Sequence, residues 1–130
     1  MTTAVRRPRS LRAAAVGLVA VLCTLLGACG DGQAGIKVES GSARPDYDYV
    51  IPRGAVLAAK AGTALDIVPQ HLRVKVGERI RIRNRDTLGA NVGVFYVGAG
   101  ETVSMRFTRK GELTGTCSIH PSGTFRITVS

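Results

Sequence analysis

A chain of 130 residues with 18 Lys+Arg against 9 Asp+Glu, no Trp and 16 Gly holds material for one small domain, rich in turns and in Val, Ile and Thr. Size and pattern exclude a multidomain protein, a coiled coil and a polytopic membrane protein. The net charge of +9 first points to nucleic acid or membrane, but Arg6, Arg7, Arg9 and Arg12 stand in a leading segment without acids. The rest carries 14 basic and 9 acidic residues, a net +5.

Residues 1–28 read as a secretory signal. The four arginines precede Ala13–Leu26, fourteen residues without a charge, a basic region followed by an apolar one. That stretch falls short of the roughly 20 residues of a spanning helix. Leu26-Gly27-Ala28-Cys29 resembles the lipobox of bacterial lipoproteins, which implies cleavage before Cys29, a lipid on its thiol and an extracytoplasmic domain anchored to the bacterial cell membrane. Arg6-Arg7 lacks the hydrophobic pair of a twin-arginine signal and reads as plain positive charge. Cys23 then leaves with the signal and Cys29 is capped, so Cys117 is the one free thiol of the mature chain. On the oxidising side of a membrane, burial or a metal is the usual reason to keep one.

From Cys29 to residue 46 the chain is rich in Gly, Ser, Ala and Asp and reads as a flexible tether, with the domain at 47–130. Val50–Gly54 reads as a short strand entering a turn, and Ala55–Ala61 as either a strand or a helical turn. Leu72, Val74 and Val76 alternate with His71, Arg73 and Lys75. Ile80 and Ile82 alternate with Arg79, Arg81 and Arg83. Val92–Val97 reads as one buried strand. Val103, Met105 and Phe107, and then Phe125, Ile127 and Val129, alternate with polar residues. Short strands between turns predict an antiparallel sandwich. Arg73, Lys75, Arg79, Arg81, Arg83 and Arg85 form a basic face without interleaved aromatics, which argues against nucleic acid. A solvated sheet face or contact with anionic headgroups remains.

Val74–Ile80, Asn84-Arg85-Asp86, Phe107–Gly111 and Cys117-Ser118-Ile119-His120-Pro121 form an ordered set. Together they resemble the cupredoxins, small copper proteins such as amicyanin and plastocyanin, over about Leu65–Ser130. The resemblance implies a Greek-key β-sandwich and a copper held by two histidines, a cysteine and a weak axial methionine. It assigns Cys117 as the thiolate and His120 as the second histidine. The first histidine falls at Ala90 and the methionine at Gly123, so the implied site is degenerate, while Asn91 matches the asparagine that helps tie the ligand loops. His71 reads as a surface residue away from the Cys117 loop, and Met105 as core filler.

Three readings stay open: a lipoprotein with residual copper, as Cu(I), on Cys117 and His120; a metal-free module binding an unknown protein partner; and a copper electron carrier. A Cys/His enzyme would need an exposed low-pKa thiolate and a substrate pocket, and no GxSxG, HExxH or phosphate-binding glycine loop is present.

Overall fold

The computed structural model describes residues 32–40 and 43–130. The signal at 1–28 and the lipidation position Cys29 lie outside the described residues. Chain order among the described residues is β1 (Gly35–Val38), β2 (Tyr47–Ile51), α1 (Ala55–Lys60), β3 (His71–Val74), β4 (Arg79–Asn84), β5 (Ala90–Gly93), β6 (Phe95–Val97), β7 (Thr102–Arg109), β8 (Gly111–Cys117) and β9 (Thr124–Val129).

These strands make two sheets. One has the order β1-β7-β4-β2, the other β3-β9-β8-β5-β6. The inward parity of the strands is apolar in the main, and the two inner faces meet in one core. Ile51, Ile80, Ile82 and Phe107 come from the first sheet, and Leu72, Val92, Val97, Phe125 and Ile127 from the second. Burying each such side chain contributes roughly 1.5–3 kcal/mol. On β4 the pattern is strict: Ile80, Ile82 and Asn84 are buried, while Arg79, Arg81 and Arg83 face outward. The β-sandwich is therefore the expected one.

Four expectations need correction. The sandwich is mixed rather than wholly antiparallel, because β2 runs parallel to β4 and β3 parallel to β9. Between β2 and β4 the chain passes through α1 and through β3 in the other sheet, so it re-enters the first sheet in its original direction. The tether reading of 29–46 fails over Gly35–Val38, which pairs with β7 as an edge strand. The Glu39 N–H continues that ladder to the Ser104 carbonyl at 2.9 Å. The stretch from Val92 to Val97 is two strands. Gly93 takes φ +64°, and Val92 turns back to pair with Phe95 through the two-residue turn that wants glycine first. The basic residues do not share a face, since Arg73 and Arg79 belong to different sheets. The arginines of β4 are also compensated. Arg81 and Arg83 both meet Asp48, and Arg79 and Arg106 both meet Glu39.

Ala55–Lys60 is helical. Its start lacks a capping side chain of its own, and the cap comes from Asp86, two residues beyond β4.

Candidate metal centre

β8 delivers Cys117 to the core with 3% of its surface exposed. The loop that follows is closed twice. The Cys117 N–H donates to the Gly123 carbonyl at 2.9 Å, and the Gly123 N–H donates to the His120 carbonyl at 2.9 Å. Pro121 suits the second position of such a turn, and Gly123 accommodates its φ of +70°. Across the sheet Val92 stands opposite Cys117. The Ser118 N–H donates to the Asn91 carbonyl at 2.9 Å, and the Asn91 N–H donates to Ser118 Oγ at 2.9 Å. This register carries Ala90, fully buried at the head of β5, to the level of Ile119, which is also fully buried. Asn91 thus helps tie the two segments, but through its backbone; its side chain is exposed.

The β4–β5 connection is fixed from below. Asn84 Nδ2 donates to the carbonyls of Leu88 at 2.8 Å and Val97 at 3.0 Å, and Asn84 Oδ1 accepts the Asp86 N–H at 2.9 Å. The Asp86 carboxylate accepts N–H groups from Gly54 and Val56, each at 3.0 Å, and from Thr87 at 2.7 Å. The bonds from Val56 and Gly54 hold its carboxyl below the ordinary carboxylate range, and they supply the cap that α1 lacks. The structural role of Asp86 was missed in the sequence. The parity of Asn84 with Ile80 and Ile82 was the available signal, since a polar residue at an inward position needs partners.

Burial pushes the Cys117 thiol up, and the N–H groups of Ile119 and His120, directed at the sulfur, pull the other way without cancelling it. The Ser122 N–H donates to His120 Nδ1 at 3.1 Å, and Ser122 Oγ lies 2.7 Å from the same nitrogen. A backbone N–H can only donate, so Nδ1 uses its lone pair there and the neutral ring carries its proton on Nε2. Ala90 and Gly123 offer no donor side chain. Among the described residues no three His, Cys, Asp or Glu side chains gather where they could hold a metal ion. A copper site of two histidines and a cysteine does not fit these residues.

His71 is no substitute. It starts β3 on the outer face, opposite Arg126 and level with Thr114 in mid-β8, whereas the Cys117 side chain points inward. The sequence placed it at the far end of the sandwich; the parallel pairing of β3 with β9 brings it to the middle. Met105 is half-buried against the core, as expected.

The Asn84 turn leading to Ala90 and the Cys117–His120 loop between the last two strands are where the resemblance placed them. The described residues fold as a two-sheet β-sandwich. No family model matches the chain, and no curated protein matches it. Among solved structures it is similar to amicyanin. A reduced Cu(I) variant of amicyanin at pH 4 is 20% identical, with 73% of this chain and 98% of that chain covered and a TM-score of 0.47. An oxidised variant and a second reduced one are each 19% identical over the same shares, with TM-scores of 0.45.

Proposed function

We propose that this cupredoxin-like domain is a non-catalytic, metal-free binding module, held on the outer face of the bacterial membrane by a lipid on Cys29. The observation that carries this reading is the engagement of His120 Nδ1 by Ser122, at 3.1 Å from its N–H. The methyl of Ala90, the burial that pushes the Cys117 thiol up and the prior engagement of His120 support a module without copper. Elemental analysis of protein isolated from its native membrane tests the proposal. Substoichiometric copper is expected, and one copper per chain overturns it.

A second reading rests on the two N–H groups directed at the Cys117 sulfur, which favour a thiolate once formed. On this reading Cys117 and His120 would be the residues that hold Cu(I), with a soft thiolate and an imidazole as donors. Titration of the reduced protein with Cu(I) against a competing chelator decides between the two. Tight 1:1 binding that disappears in Cys117→Ala replaces the first reading with the second.

A further inference from the structure

The outer face of the five-stranded sheet contains a concavity of about 280 Å³ lined by Gln70, His71, Thr114, Thr124 and Arg126. It lies on the opposite face of the sheet from the Cys117 side chain, so it does not depend on how the metal question is answered. Its shape follows from register. His71 stands opposite Arg126 across the parallel pair β3–β9, and Arg126 opposite Thr114 across β8–β9. Three strands therefore place an imidazole, a guanidinium and a hydroxyl in one row. Thr124 lies two residues before Arg126 on the same face, and the Gln70 carbonyl accepts the Arg126 N–H at 2.9 Å, which fixes the rim.

Of this row the His71 side chain is held, and the row is rich in donors. The Thr128 hydroxyl donates to Glu112 Oε1 at 3.4 Å, so its oxygen receives the His71 Nε2–H at 2.8 Å. Glu112 thus orients the imidazole through one hydroxyl. Arg126 forms no ion pair among the described residues, in contrast to Arg79, Arg81, Arg83 and Arg106. An unpaired guanidinium beside two threonine hydroxyls and a primary amide makes a cluster of hydrogen-bond donors in a hollow.

We propose that this hollow binds a phosphate monoester. The guanidinium fork, two hydroxyls and an amide exceed what the two oxygens of a carboxylate can use, and they match the three terminal oxygens of a phosphate. The volume lies just below the range of pockets for drug-sized ligands, so the ester is a small polar one. No Phe, Tyr or Trp lines the hollow for a base to stack on. An open site with few contacts gives a Kd on the order of 1 mM.

The test uses full-length, isotope-labelled protein in detergent micelles, titrated at constant ionic strength with inorganic phosphate, glycerol 3-phosphate and acetate. The amides of His71, Thr114, Thr124 and Arg126 should shift and saturate with both phosphates, and with acetate at least fivefold more weakly. Arg126→Gln should weaken phosphate binding tenfold or more, and Thr114→Val severalfold, with unchanged spectra outside the hollow. Vesicles containing phosphatidic acid form a second arm. Competition between them and glycerol 3-phosphate assigns a lipid headgroup, and saturation by the soluble ester without competition assigns a free metabolite. Equal response to acetate, full binding by Arg126→Gln, or shifts centred on Arg79 and Arg81 overturns the proposal.

Discussion

The Asp86 carboxylate accepts the Val56 N–H at 3.0 Å across 30 residues of sequence, so the loop leading to Ala90 and the first turn of α1 are one unit. The carboxyl titrates below its ordinary value, chiefly through Val56 and then Gly54. A depressed carboxylate contributes stability that is complete above its unfolded value of about 4 and is lost as pH falls through the folded value. Asp86→Asn should lower Tm by roughly 5 °C at pH 7. It should also flatten the decline of Tm between pH 5 and 3 relative to the parent. Calorimetry across that range checks this, and parallel decline in both proteins would show that another group governs acid unfolding.

Ala90 lies where β5 meets the Cys117–Gly123 loop. Ala90→His should supply the missing third donor, at an overpacking penalty of about 1–3 kcal/mol. On adding Cu(II), the variant should develop the intense visible absorption of a thiolate–copper bond, which the parent lacks. A second change, Cys117→Ala, should remove it. A colourless Ala90→His protein with a native-like circular dichroism spectrum would show that positions 90, 117 and 120 do not converge.

Cys117 is 3% exposed, and burial raises its thiol pKa. Iodoacetamide at pH 7 should label it roughly a hundredfold more slowly than a free thiol, and fully in denaturant. Ile119→Ala, at a fully buried position, should cost about 2–5 kcal/mol in a denaturation titration. It should also accelerate labelling of Cys117. Fast labelling of the native parent would contradict the buried thiol.

Glu39 receives hydrogen bonds or charge from both Arg79 and Arg106 and follows directly on β1. Glu39→Gln should raise amide exchange at Ile36–Val38 roughly three- to tenfold and leave Phe125–Val129 unchanged. High salt should reproduce part of the effect in the parent. Uniform acceleration along the chain would indicate global destabilisation instead.

Alternation made β3, β4 and β9 legible because burial alternates along each, and β7 legible through the apolar parity of Val103, Met105 and Phe107 alone. It could not reveal β1, a four-residue edge strand whose Val38 is 66% exposed, nor separate β5 from β6, where apolar residues continue through the turn. The parallel pairs depend on the path of the chain between sheets, which no local pattern carries. At the candidate site, the spacing of Cys117 and His120 was readable, and so was the absence of donors at 90 and 123. The engagement of His120 by Ser122 was not, because it arises from the turn that Pro121 and Gly123 shape.

β1 covers one side of β7, whose eight residues run from Thr102 to Arg109. A recombinant version begun at Tyr47 would strip that cover and leave a long row of unmet peptide groups facing solvent, a template for self-association. Retaining the chain from Gly32 is therefore a condition for a monodisperse preparation.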